Sequence, residues 1–505
     1  MEKHDTSHVE LKDSGLQPTA QDNAPDGYYP VTPEERRMSR ALNRKLDIFV
    51  LPFLALLYLF NGLDRGNVGN AETQGFAKDI GASPNDINDA VSLFFITFVI
   101  FQPISSAVGR IVGAKHWIPF LMISWGCLTL AHAFIHGRGQ LIALRLLIGL
   151  FEAGFYPTAI FYLSTFYPRF DLGLRIGLFY GQYVVAGAFS GAIAYGIFHL
   201  KGHLYGWQYL FIIEGALTMF VGIVAWFWLP MGPGSAWFLT KAEREYAAER
   251  IRIDSEKYVL KTYGPDGIQK GADRLNRRDV IETIKDWKLW TVLIFNICAS
   301  VPSQAFSVFL PLVVNGLGYT SINANLMSVP PYVCGAVGLY IFALSSDRHK
   351  ERGLHIIAGL IICLIGLIIT VTVLNNGVRY FALCVLLLGS YITAPLTMAW
   401  LSGNTPDPGK RALVLGVNGF GNLAGVIGSQ LFSSKYAPRY LVPFYATLGF
   451  IAFALIGYIS YRFMLQAVNR YRARKIASWS AQEIENERVN DTRLGDKKYT
   501  FVYSL

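Results

Sequence analysis

The sequence predicts an all-α membrane protein, with about twelve transmembrane helices in two six-helix bundles. Three observations predict it. Of the 505 residues, 52% are hydrophobic and only 16% charged, against roughly 25% charged in soluble globular chains. About twelve apolar runs approach the ~20 residues that a helix needs to span a bilayer. A long charged segment divides those runs six and six. The composition excludes a disordered chain, a collagen-like chain and an ordinary cytosolic enzyme.

The elements follow in order. Residues 1–45 are polar, with no apolar run behind a basic start, and read as a disordered cytosolic tail without a cleavable signal. Apolar runs at 46–66, 88–109, 117–136, 140–165, 173–198 and 207–229 form the first bundle, residues 46–229. Residues 230–287 are a charged cytosolic linker, in which Leu239–Asp254 reads as an amphipathic helix N-capped by Thr240. Runs at 288–311, 322–345, 353–374, 379–401, 411–432 and 441–463 form the second bundle, residues 288–465. Residues 466–505 are a cytosolic C-terminal tail.

Orientation comes from the short loops. Arg36, Arg37, Arg40, Arg44 and Lys45 precede span 1, Arg110 and Lys115 join spans 2 and 3, and Arg169 and Arg175 join spans 4 and 5. Arg348, Lys350 and Arg352 join spans 8 and 9, Lys410 and Arg411 join spans 10 and 11, and Arg470, Arg472, Arg474 and Lys475 follow span 12. The alternate loops hold few bases, so both termini and the linker are placed in the cytosol. The net charge of +10 is thus a membrane-orientation signal, and no nucleic-acid partner is implied. The spelling Asn490-Asp491-Thr492 is a glycosylation sequon that this topology leaves unmodified.

Spans 3, 9 and 12 are nearly pure hydrocarbon and span 6 carries one acid, Glu214; these four read as outer scaffold. The other spans carry polar stripes at helical spacing: Asn296, Ser300, Ser303 and Ser307 in span 7, with Gln304 beside them; Asn418, Asn422, Gly425 and Ser429 in span 11; Arg145, Gly149, Glu152 and Tyr156 in span 4. Polar groups facing lipid are costly, so the stripes should face one another or a wet cavity. Small residues such as Gly181, Gly187 and Gly191 of span 5 also suit close helix packing.

Arginine in mid-bilayer costs about 2.5–3.5 kcal/mol on insertion scales. Two arginines meet that condition. Arg65 lies late in span 1, with Asn61 one turn before it on the same face and Asp64 turned away to pair elsewhere. Its planar fork suits a carboxylate; the alternative is a structural ion pair near the outer interface, or snorkelling. Arg145 and Glu152 share a face of span 4 but stand too far apart for a tight pair. Glu152, a carboxyl in an apolar setting, can serve a proton-coupled carrier or be locked to a base on another helix. Glu214 in span 6 can play the same proton role, but it lies closer to the span's entrance and reads as structural. The histidines, among them His132, read as solvated side chains without ligand spacing. Five cysteines without CxxC spacing imply neither a disulfide framework nor a metal site. There is no Walker motif, catalytic triad or nucleotide loop, so neither an enzyme, an ATP-driven pump nor a cofactor is implied.

The segments KLDIFVLPFLALLYLFNGLDRGNVGNA (45–71), RLLIGLFEAGFYPTAIFYLSTFYPR (145–169), AFSGAIAYGI (188–197), WQYLFIIEGALT (207–218), SVPPYVCGAVGLYIFALSSDR (328–348), APLTMAWLSGN (394–404), RALVLGVNGFGNLAGVIGSQLF (411–432) and YAPRY (436–440) resemble the major facilitator superfamily. Within it they are similar to the fungal anion:cation symporters, the allantoate and nicotinate permeases. The resemblance implies two bundles around a midplane site and proton-coupled uptake of a small organic carboxylate at the plasma membrane. The Arg65-Gly66-Asn67 triplet matches the carboxylate-binding arginine of vesicular carriers in the family, and Arg145 and Glu152 match their span 4 pair, linked to proton coupling.

Substrate contacts are expected from Arg65, Asn61, Tyr156, Asn296, Ser300, Gln304, Asn418 and Asn422, and proton coupling from Glu152 and Arg145. Gating is assigned to Asp347, Arg348 and Arg110; the loop Arg110–Lys115 lacks the acid that the superfamily usually carries there. The vesicular carriers hold a second arginine in span 7 and this span has none, which fits a single carboxylate. The expected partners are that substrate, protons and the lipid bilayer, around a monomer. A fungal secondary-metabolite exporter is the alternative, and a receptor that binds without flux is a third reading.

Overall fold

The computed structural model describes residues 30, 32–259, 277–406, 408–489 and 495–505. Most of the N-terminal tail, the middle of the linker and the sequon at residues 490–492 lie outside the described residues. All regular structure among the described residues is helical. Among the described residues, twelve helical segments are long and apolar enough to cross a membrane: Pro33–Glu72, Pro84–Val112, Ala114–Phe134, Arg138–Ser164, Asp171–Ile197, Gly206–Trp228, Trp287–Asn315, Ile322–His349, Gly353–Thr372, Asn376–Gly403, Lys410–Leu431 and Leu441–Ile476. They are numbered spans 1–12.

The expected boundaries are corrected at both ends of the chain. The first helix begins at Pro33, inside the segment read as a disordered tail. Thr32 caps it and Glu35 returns the bond, a reciprocal box that satisfies two free backbone donors. Leu42 and Leu46 are fully buried, so this polar stretch carries an apolar stripe that composition alone hides. A linker helix, Lys241–Val259, holds the same stretch from outside. Its Glu243 pairs with Lys45 at 2.7 Å, and its Arg250 donates to Asn43 Oδ1 and to the Phe166 carbonyl. Thr240 caps that helix as the sequence predicts. At the other end, span 12 runs on to Ile476, and Asn469 and Arg472 on its extension hold Phe501 and Tyr503.

Spans 1–6 pack mainly among themselves, and so do spans 7–12. Span 3 lies along span 6 and span 9 along span 12, away from the other half. Their apolar side chains, such as Phe220, Phe227, Ile361 and Ile365, are exposed as a lipid-facing scaffold requires. The halves meet where span 1 crosses span 7, span 2 crosses span 11 and span 5 crosses span 8. Glycines allow these approaches. A Cβ on Gly69 would collide with the Val308 carbonyl oxygen, and Gly187 and Gly191 of span 5 lie against Tyr332 and the Asn325 backbone of span 8.

Both described ends of the chain, the linker helix and the loops after spans 4, 8 and 10 share one face. Asp47 binds Arg175 there, Lys410 binds Asp496, and the Arg352 amide donates to the Leu505 carbonyl. On the opposite face, Asp86 binds Arg138 and Asp79 accepts from Trp207. The side-chain bonds between the halves gather toward that opposite face. Asn88 donates to the Ser429 carbonyl at 2.6 Å, Ser92 and Ser429 join hydroxyls at 2.6 Å, and Ser433 bonds Asn85 and Asn325 bonds Thr73. Deeper in, Gln182 reaches Tyr340 at 3.4 Å. The structure is therefore sealed on the face opposite the termini.

Candidate functional site

Span 4 bends near mid-membrane. Its first helix ends at Glu152 and its second begins at Phe155. Gly149 and Gly154 flank that bend and let span 2 press in: a Cβ on Gly149 would meet the Phe94 backbone, and one on Gly154 would run into Ser105. Gly149 thus serves packing, not the cavity that the span 4 stripe predicts. The close approach brings the Phe94 edge of span 2 and Glu152 of span 4 to the same side of span 1.

There Arg65 Nε donates to Glu152 Oε2 at 3.0 Å, a pair between helices 87 residues apart. Arg65 is 8% exposed and Glu152 is 1%. The guanidinium carbon lies 4.6 Å from the Phe98 ring centre, 5.4 Å from those of Phe94 and Tyr183, and 5.9 Å from that of Phe95. Such faces attract a cation while excluding water. A small cavity at this point is lined by Arg65, Val91, Phe94, Phe95, Arg145 and Glu152, and by Val308 from the other half. Arg145 Nε is buried there without a hydrogen-bond partner, and the Asn61 side chain lies beside Glu152. Buried polar atoms left open in this way are the groups a ligand or water would satisfy.

Asp64 is turned away, as its position on the helix predicts. It accepts from Trp125 Nε1 at 2.9 Å, Thr218 Oγ at 3.2 Å and Asn67 Nδ2 at 3.3 Å. Of the two alternatives for Glu152, the structure contains the cross-helix pair, and its base is Arg65, not Arg145.

The stripes of spans 7 and 11 face one another. Asn296 donates to Asn418 at 3.3 Å and Gln304 to Asn422 at 3.0 Å, while Ser300 bonds Asn296 at 3.5 Å. Span 11 is broken there: a 3₁₀ segment, Gly419–Leu423, interrupts it. Gly421 has to clear the Asn296 amide and Gly425 the Phe95 ring. Phe95 therefore stands between Arg65 and the amide pairs, and no hydrogen bond joins the two groups among the described residues. Tyr156 lies half-buried in an aromatic stack with Tyr58, 5.5 Å away, and Phe179, 6.0 Å away.

The expected gating residues are not brought together. Asp347 pairs with Arg352 at 2.5 Å within its own half, Arg348 is exposed, and Arg110 lies over the Phe161 ring at 5.6 Å. The aromatic box was missed, although Phe94 and Phe98 are spaced one turn apart and face the same way. His132 corrects another expectation. It is fully buried, with Nδ1 2.8 Å from the Leu128 carbonyl and its ring 5.2 Å from Phe211. Its loop position gave no sign that span 6 covers it.

Comparison with known proteins is consistent with this architecture. A family profile described as Major Facilitator Superfamily matches residues 54–429. The high-affinity nicotinic acid transporter of Saccharomyces cerevisiae is 33% identical over 468 residues, 92% of this chain and 85% of that protein. The major facilitator-type transporter hxnP of Emericella nidulans is 36% identical over 415 residues, 80% of this chain and 81% of its own length. Among solved structures, the proton:xylose symporter XylE aligns with a TM-score of 0.63 at 13% identity, over 81% of this chain and 94% of that one. A bacterial homolog of the human lysosomal transporter Spinster, inward-facing and occupied, aligns with a TM-score of 0.58 at 15% identity, over 82% and 97% of the two chains. These last two likenesses bear on the fold alone.

Proposed function

The chain belongs to the major facilitator superfamily, and from that premise we propose that it is a proton-coupled uptake carrier for a small organic carboxylate, nicotinate or a close relative. The observation that carries the reading is the buried Arg65–Glu152 pair inside its aromatic box. A buried pair costs desolvation on both sides, and it offers an exchange. A proton on Glu152 frees the Arg65 fork. The substrate carboxylate then takes the place of Glu152, and the ring of an aromatic acid such as nicotinate lies against Phe94, Phe98 and Tyr183. Neither event is favourable alone, because each would leave one charge unpaired in a dry site. That mutual requirement is what couples proton to anion.

The amide pairs of spans 7 and 11 supply the facing wall, and the break at Gly419–Leu423 gives span 11 a joint near mid-membrane. Alternating access follows from parting the halves at Ser92–Ser429 and closing them near the termini. The basic loops support cytosolic termini, which would turn the sealed face outward. In that orientation, an anion entering against a negative interior needs at least one proton per charge, since each charge costs ~2.3 kcal/mol per 100 mV.

The test is uptake of labelled nicotinate at acidic pH, in yeast lacking its own carrier, with and without a protonophore. Uptake that collapses with the protonophore supports the reading. With the protein at the surface, absence of uptake removes nicotinate and moves the search to other carboxylates and to export.

A further inference from the structure

We propose that residues 495–505 form an autoinhibitory strap, which holds the half-helices of spans 10 and 11 on the face that carries the termini and so slows closure of that face. That the restrained motion is a transport step rests on the carrier reading above; the docking of the strap does not.

Two spans of the C-terminal bundle are broken partway across. Span 10 is one helix to Ser390 and a second over Thr393–Gly403. Span 11 is helical over Pro408–Asn418 and is then interrupted by the 3₁₀ segment Gly419–Leu423. Spans 7 and 12 run unbroken beside them, over Trp287–Asn315 and Leu441–Ile476. The pieces Thr393–Gly403 and Pro408–Asn418 can therefore swing on their joints, since hinges are made at the ends of elements. The first of them already touches span 5 of the other half. Swinging both toward that half closes the face that carries the termini.

The strap ties both pieces to their unbroken neighbours. Asp496 is 4% exposed and lies between Lys288 at the start of span 7 and Lys410 at the start of span 11; Asp286 pairs with the same two lysines. Without Asp496 the two buried lysines share one acid, which leaves a buried charge unpaired. Asn404, just after span 10, accepts from the Ser504 N–H at 2.8 Å and donates to the Ser504 carbonyl at 3.0 Å, and Trp400 Nε1 donates to that carbonyl at 2.8 Å. Asn469 of span 12 clamps Tyr503 in the same way, at 2.9 and 2.8 Å. An amide side chain offers both a donor and an acceptor, so these two clamps read the main chain of the strap on both sides.

The end of the strap reaches the loop between spans 8 and 9. The Leu505 carbonyl accepts from the Arg352 N–H at 3.0 Å, and the Arg352 side chain holds Asp347 at 2.5 Å. The strap thus fixes the backbone of the residue that keeps Asp347, the acid expected at the gate, within its own half. Docked, it favours the arrangement of the structure, sealed on the opposite face. Released, it lets the half-helices close and the Ser92–Ser429 seam part more often.

The experiment uses the full chain in proteoliposomes. Asp496→Asn with Asn404→Ala loosens the strap; Asn404→Cys with Ser504→Cys locks it on oxidation. The loosened variant should take up labelled nicotinate about twofold faster or more, since conformational steps set many turnover rates, at unchanged nicotinate affinity. The locked variant should slow until a reductant is added. A second arm needs no substrate. Ser429→Cys is reacted with a membrane-impermeant thiol reagent, over the background of the chain without that cysteine. Its labelling should rise when the strap is loosened and fall when it is locked. A loosened variant that is only less heat-stable, with uptake and labelling unchanged or lowered, overturns the proposal, and so does a locked variant that behaves as the wild type. If the wild type moves no nicotinate, the carrier reading fails, and the labelling arm decides the strap by itself.

Discussion

Removing Arg65 together with Glu152 separates a fold-holding ion pair from an anion-binding one. Arg65→Ala leaves Glu152 buried without its base, and breaking a buried pair in this way typically costs about 3–5 kcal/mol. It also deletes the fork offered to a carboxylate. Two charge-assisted bonds at about 1.5–3 kcal/mol each correspond to about 3–6 kcal/mol of binding, on the order of 10²- to 10⁴-fold in affinity. The single variant cannot tell these losses apart, because both end transport. Arg65→Ala combined with Glu152→Ala can. The double variant removes both charges, so the uncompensated carboxylate is gone and the bundle regains its stability. If the pair only holds the fold, transport returns. If Arg65 binds the substrate, transport stays absent in a protein that is folded and at the surface. The assay is labelled nicotinate uptake alongside surface labelling and size-exclusion profiles. Restored uptake in the double variant would refute the reasoning.

Two other predictions concern the gate and the tail. Ser92→Cys with Ser429→Cys replaces hydroxyls 2.6 Å apart on opposite halves; oxidation should stop transport and a reductant restore it, and transport that continues through the crosslink would count against alternating access at this seam. Asp496 sits between Lys288 and Lys410, at 2.9 Å from the latter. Burial works against its charge, but the two lysines outweigh that and hold its carboxyl down at about 2. Its pKa is depressed in the folded state, so its contribution is present above the unfolded value near 4 and lost as pH falls toward about 2. The gap amounts to about 2 kcal/mol. Pepsin should therefore leave residues 495–505 intact at the upper end of that window and release them at the lower end. Asp496→Asn should expose them at neutral pH to a general protease; equal protection of both forms would contradict the ion network.

The number of spans, their division and the outer placement of spans 3, 6, 9 and 12 were legible in the sequence, since each is set by a local apolar run and its helical period. The facing amide stripes of spans 7 and 11 were legible for the same reason, because a polar stripe in lipid has to find another. Candidate site residues such as Arg65 and Glu152 could be singled out one by one, as charges that a bilayer does not tolerate without a partner. Which partner each would take was a matter of tertiary structure. Arg65 and Glu152 are 87 residues apart, and they meet across two helices in a contact that no local pattern encodes, beside the close approach of spans 2 and 4 that Gly149 and Gly154 allow. The same holds for the burial of His132 under span 6 and the docking of Asp496 on Lys288, 208 residues away. Hydrophobic period is a property of neighbouring residues; the pairing of buried charges depends on how close the backbones of distant helices can come, and here small residues decide that.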